Sequence, residues 1–225
     1  MGKYTNSHRI GVLYSILWDP YNVRISIGKL TIVLFLGFFF LGVYQLSDYG
    51  LNWDSPAHLI RGQAYLRFFL TGKDNYRDLP KIRSHYFQSD FHTVPKNTIP
   101  EKTAKIKRSL YQYDGVGNKY TLAYFLKHDT GHPPLNGIFA SFSNYIFYQR
   151  LGILGDIESY HLFIVFTSSL LVSLVFIFTA QTYGKFSGLV AALALWVYPL
   201  FFAESHTNVK DPVEATMYAL TIYCM

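Results

Sequence analysis

Leu30-Thr31-Ile32-Val33-Leu34-Phe35-Leu36-Gly37-Phe38-Phe39-Phe40-Leu41 is the stretch that decides the fold. No residue from Leu30 to Ser47 carries a formal charge, and such a run approaches the roughly 20 apolar residues that cross a bilayer core of about 30 Å as a helix. It reads as transmembrane helix 1, residues 30–47. A second uncharged run, Leu162 to Gly184, gives transmembrane helix 2 over 161–184, and a third gives transmembrane helix 3 over 186–203. A fourth begins at Val213 and is still apolar at Met225, so residues 213–225 read as the start of a truncated transmembrane helix 4 and the chain as an N-terminal fragment. The expected fold class is all-α: a multi-pass transmembrane helical bundle with a large extracytoplasmic first loop that contains amphipathic interfacial helices.

Composition supports this. Half of the 225 residues are hydrophobic and only 15% are charged, with the apolar residues in blocks. The single cysteine, Cys224, excludes an internal disulfide framework and a multi-cysteine metal site. The net charge of +6 is scattered among the spans rather than gathered on one helix, which favours membrane lipids or phosphate over nucleic acid as partner. About 29 residues precede the first span, and Gln45-Leu46-Ser47-Asp48 offers no small-x-small cleavage site, so the span is expected to stay as an anchor rather than leave as a signal peptide.

Lys3, Arg9, Arg24 and Lys29 against Asp19 place residues 1–29 in the cytoplasm. Their run Ile10 to Trp18 is too short to span and is ended by Asp19-Pro20. Residues 48–160 are then extracytoplasmic, since a loop this long translocates largely regardless of its positive charge. The segment 204–212, holding Glu204, His206, Lys210 and Asp211, faces the same side. Within the large loop, Pro56 to Leu70 spaces Leu59, Ile60, Gln63, Leu66 and Phe69 as a helix, with Arg61 and Arg67 on its surface. Pro134 to Tyr148 repeats the pattern without a charge. Both read as helices along the membrane surface, and the polar, turn-rich stretch from Lys73 to Lys127 as a small cap.

Two acids stand at helix starts on the shared side. Asp54-Ser55-Pro56 has the form of an N-cap followed by an early proline, and Asp211-Pro212-Val213-Glu214 that of a capping box. Capping and catalysis are compatible, because a helix N-terminus keeps a carboxylate ionised and aimed. His128 and His132 have the spacing of zinc ligands on a helix, but Gly131 and Pro133-Pro134 oppose a helix there. The segment reads instead as rigid and extended, delivering His132 to a cleft before the next helix begins.

Asp54 just past the first span, then His58 on a surface helix, then His132-Pro133-Pro134-Leu135, together resemble the protein O-mannosyltransferases and their bacterial relatives in the GT-C superfamily of membrane glycosyltransferases. The family carries a second acid beside the first, where this chain has Ser55. The segment Glu204 to Pro212 is similar to the acidic second loop of bacterial relatives. The resemblance implies inverting transfer of mannose or another hexose from a polyprenyl-phosphate-linked donor to a protein or glycan/lipid hydroxyl. Asp54 would be the general base, and His58, Arg61, His132, Lys210 and Asp211 would bind substrate. No cofactor is implied, a divalent metal at Asp211 being an open possibility without an assigned ligand set. The location implied is the plasma (inner) membrane of a prokaryote, with the site facing outward. The competing class is a multi-pass transporter or flippase whose acids bind ions or substrate; a membrane scaffold or receptor is a third.

Overall fold

The structure, a computed structural model, describes residues 26–78, 107–112, 119–128 and 133–225. The stretch from Ile10 to Trp18, most of the expected cap and His132 lie outside the described residues. Every regular element among the described residues is helical, and none is a strand.

Two helices are long and apolar enough to cross a membrane. The first, α1 (Ile27–Tyr44), has 18 residues and starts where Ser26 Oγ accepts from Lys29 N at 3.2 Å. It begins and ends three residues before the expected span 30–47 because Ser26 supplies the cap. Upstream of the second lie α2 (Ser55–Thr71), α3 (Leu122–His128) and α4 (Leu135–Asn144), the last continued by a π-helical turn, Tyr145–Arg150. The second apolar helix, α5 (Asp156–Tyr183), has 28 residues and starts five residues before the expected span 161–184. Asp156 and Glu158 fill its first turn, where the free backbone N–H groups favour negative charge.

The third apolar run departs from expectation. Residues 186–203 are expected as one transmembrane helix, but the structure has two, α6 (Lys185–Trp196) and α7 (Pro199–Thr207), bent by 62° at the break. Pro199 explains the break: it lacks an N–H and so is tolerated at the start of a helix but not within one. The pair makes a third crossing if it counts as one broken span. The last helix, α8 (Asp211–Cys224), has 14 residues.

Small residues set how closely these helices pack. A Cβ on Gly42 of α1 would stand 2.5 Å from Val165 Cγ1 of α5, and one on Gly188 of α6 would stand 2.8 Å from Ala180 Cβ. Such approaches let backbones meet where lipid supplies no hydrophobic drive between helices. Phe38 is enclosed by Trp196, Phe201 and Phe202, with ring centroids 5.5 to 5.7 Å away. On the opposite side α1 exposes Ile32, Val33 and Phe40, a surface suited to lipid.

A second group of helices gathers at the N-terminal end of α5. Here α2 packs against α4, and Leu59, Ile60, Ala64, Tyr111, Phe125, Ala140, Tyr160 and Val209 share one apolar cluster. The expectation that Arg61 lies on the surface is overturned. Arg61 is buried, with its guanidinium 5.6 Å from the Phe125 ring, because α3 covers that side of α2. Arg67 is held too, donating to the Asn75 carbonyl at 2.6 Å and pairing with Asp78. The Lys73 ammonium, 2.5 Å away, holds the Asp78 carboxyl below its usual range, with Arg67 adding to the effect. α4 buries Asn136, Gly137, Ala140, Ser141, Ser143 and Asn144 and exposes Leu135, Phe139 and Phe142, the reverse of a helix on a water-soluble protein.

The inward polar face is satisfied by a hydrogen-bonded hub. Gln63 Nε2 donates to Tyr160 Oη at 2.6 Å, and Gln63 Oε1 accepts from Gln112 Nε2 at 2.7 Å. Asn144 accepts from Gln149 at 2.8 Å and donates to Asp156 Oδ1 at 2.7 Å, while Asp156 Oδ2 accepts from Leu110 N at 2.6 Å. Five segments are tied at one point. Gln63→Leu removes a donor and an acceptor from a buried site, and is expected to cost about 2 kcal/mol or more. A melting midpoint of the purified chain equal to wild type would show that the hub does not hold the helices.

Candidate functional site

Asp54 occupies the residue before α2, yet its carboxylate makes no capping bond. The side chain is exposed, and the backbone N–H donates to Asn52 Oδ1 at 3.3 Å. The expected capping role therefore falls away, leaving the carboxylate outside the fold's own hydrogen bonding. Ser55, in the place where the family resemblance would put a second acid, serves the fold instead, because its Oγ donates to the Thr207 carbonyl at 2.7 Å. That bond docks the start of α2 on the last residue of α7, across 152 positions of sequence.

The segment that follows Thr207 is shaped by Asn208. Its Oδ1 accepts from Lys210 N at 2.9 Å and from Asp211 N at 3.2 Å, and its Nδ2 donates to Asp211 Oδ2 at 2.9 Å. The capping expected of Asp211 is thus done by Asn208, with Asp211 as the first helical residue of α8. Val209, buried in the cluster around Tyr160, pins the loop from below. The Ser55 bond consequently brings the Asp54 turn and the loop carrying Lys210 and Asp211 to one place. Both carboxylates are exposed, and Lys210 is half-buried.

The remaining sequence-derived candidates sit differently. His58, one turn along α2 from Asp54, is buried, and its carbonyl oxygen would lie 2.3 Å from a Cβ on Gly137. This close approach sets the N-terminal turn of α4 beside the His58 turn of α2. Pro133 and Pro134 lead into that turn, whereas His132 itself is outside the described residues. Arg61 packs against the Phe125 ring.

Two features of this end escaped sequence reasoning. His206, expected in a loop, belongs to α7, is wholly buried, and stacks on Tyr49 with centroids 4.5 Å apart. His161, one turn before Val165 on α5, is also wholly buried. The only signal in the sequence was a histidine at each edge of an apolar run. Among the described residues, no group of three or more His, Cys, Asp or Glu side chains converges as a metal site. Comparison with protein-family models, curated proteins and solved structures gave no match.

Proposed function

We propose that the chain is a membrane glycosyltransferase that moves a hexose from a polyprenyl-phosphate-linked donor to a hydroxyl on a protein, glycan or lipid acceptor. The observation that carries this reading is the Asp54 carboxylate: exposed, unused in capping, and held beside the Lys210–Asp211 loop by the Ser55–Thr207 bond. A carboxylate so placed accepts a proton from an acceptor hydroxyl at hydrogen-bond range while that oxygen attacks the anomeric carbon. The bond to the donor's phosphate breaks, and the lipid phosphate leaves with the electron pair. Lys210, beside Asp211, supplies positive charge to that leaving group. Arg67 is committed to Asp78 and Asn75, and Arg61 is packed under Phe125, so neither is the first choice. Asp211 binds sugar or acceptor hydroxyls.

In this reading α1, α5 and the bent α6–α7 pair cross the inner membrane of a prokaryote, and the Asp54 end faces outward. The outward apolar face of α4 rests in lipid, which places the donor's tail within reach of the site. A cysteine replacing Lys119 in the full chain is expected to react with a membrane-impermeant reagent added outside; protection of that cysteine in folded protein contradicts the orientation.

The competing transporter reading is favoured by one observation, the buried histidines His161 and His206 at the edge of the bundle. Proteoliposomes holding the full chain separate the two. Supplied with polyprenyl-phosphate mannose and an acceptor extract, they are expected to form glycosylated product; sugar-lipid translocation without product favours the transporter.

A further inference from the structure

α4 stands beside the first turns of α5 and runs against it. Phe139 stacks on Phe163 with ring centroids 5.7 Å apart, Ser143 Oγ donates to the Ser159 carbonyl at 2.7 Å, and Asn144 Nδ2 donates to the Asp156 carbonyl at 2.8 Å. Residue numbers rise along α4 as they fall along α5, so Leu135, one turn before Phe139, lies about 6 Å further along α5 than Phe163, level with Thr167. The depth of that level follows from α1. Its 18 residues span about 27 Å against about 30 Å of hydrocarbon, so a crossing uses all of it. A Cβ on Gly42, in its last turn, would stand 2.5 Å from Val165 Cγ1, and the Phe39 ring lies 6.2 Å from that of Phe166. Val165 and Phe166 are thus level with the last turns of α1, and Leu135 reaches at least as deep.

α4 also keeps no face for water. No residue from Pro133 to Gln149 carries a formal charge. Asn136, Ser141, Ser143 and Asn144 turn into the protein, while Leu135, Phe139 and Phe142 are exposed. A helix that lies in the membrane surface holds the opposite arrangement, with charged residues toward water. The exposed side continues onto the spans: Phe139 stacks on Phe163, and Phe166, one turn on, meets Phe35 and Phe39 of α1 edge-on. Pro133 and Pro134 carry no backbone N–H, so the start of α4 brings fewer unbonded donors into hydrocarbon, where each is costly. We propose that α4 is inserted in the edge of the membrane with its N-terminus deepest, and that Leu135 and Phe139 contact the acyl chains of the bilayer. The helix stands along α5, whereas its sequence alone suggests one lying flat on the surface. The proposal rests on α1 and α5 crossing the bilayer and on no part of the transferase reading.

Nitroxide labels test it in phosphatidylcholine vesicles, on the full chain carrying Cys224→Ser and one further change: Leu135→Cys, Phe139→Cys or Phe142→Cys. Phe40→Cys on α1 marks lipid, and Lys119→Cys marks water. Labels at 135 and 139 are expected to meet oxygen more often than a water-soluble nickel chelate, as at 40. The label at 135 is expected up to about 10 Å deeper than that at 142, seven residues on. Nickel access at 135 equal to that at 119 overturns the proposal, as does equal depth at 135 and 142, which a flat helix gives. Exclusion of both reagents at 135 overturns it too, because a second copy or another protein then covers the face. The unlabelled chain gives a second reading with a phospholipid that carries a photoreactive group in its acyl chain. Adducts are expected on the peptide holding Leu135 and Phe139 as well as on the one holding Phe40, and adducts on the latter alone count against the insertion of α4.

Discussion

Gly62→Ala is expected to separate α2 from α4 and to lower stability by about 3 kcal/mol or more, at the upper end of overpacking changes. A Cβ at position 62 would stand 2.0 Å from the Gly137 carbonyl oxygen, 2.2 Å from its carbon and 2.6 Å from Ser141 Oγ. The first two are backbone atoms, so no rotamer change relieves the clash. Gly137→Ala meets the same obstacle from the other side, at 2.3 Å from the His58 carbonyl oxygen. Moving the helices apart would also stretch the hub, because Gln63 follows Gly62 directly and Asn144 lies two turns beyond Gly137. Gly50→Ala is the control, since a Cβ there meets nothing within 4 Å. Melting of the three variants in detergent reads the difference; equal midpoints for Gly62→Ala and Gly50→Ala would contradict the close approach of α2 and α4.

That contact shows where sequence reasoning reaches its limit. The apolar runs announced α1 and α5 directly, because a span's length and lack of charge are local properties of the chain. The spacing of Leu59, Ile60 and Leu66 likewise announced a helix at α2. What such patterns do not encode is the partner. α2 was expected to carry Arg61 on its surface, whereas Gly62 and Gly137 let α4 close over the helix and α3 covers Arg61. The bend at Tyr198 had a visible cause in Pro199, but the apolar run continued through it and masked the signal.

For the candidate site, only the meeting of two segments was legible. Asp54 and Asp211 were singled out because an acid at the end of an apolar run is conspicuous, and the structure sets their segments together through Ser55 and Thr207. The division of labour between Asp211 and Asn208 was not readable, since both residue types cap helices and only geometry distinguishes them. The burial of His161 and His206 was hidden for a simpler reason: 45 residues separate them by number, and no spacing rule relates one helix to another across a bend.

Asp54→Asn is the second change with a large expected effect. It keeps the side chain's size and an oxygen, and it removes the basic group. As the carboxylate makes no capping bond, the helix should stand and the melting midpoint should stay close to wild type. Loss of a general base typically slows the chemical step by about 10²–10⁴-fold. Asp54→Glu retains basicity at a longer reach and is expected to recover part of the rate. Asp211→Asn, altering a group assigned to binding, is expected to raise KM more than it lowers kcat.

Single-turnover transfer from polyprenyl-phosphate mannose by the folded full chain tests the central claim most directly, with wild type and Asp54→Asn compared at saturating donor. Product formed by wild type, and formed at least about 100-fold more slowly by Asp54→Asn, is the predicted result. Equal rates would remove Asp54 from the chemistry, and no product from the folded wild-type chain with any polyprenyl-phosphate sugar would contradict the proposed function.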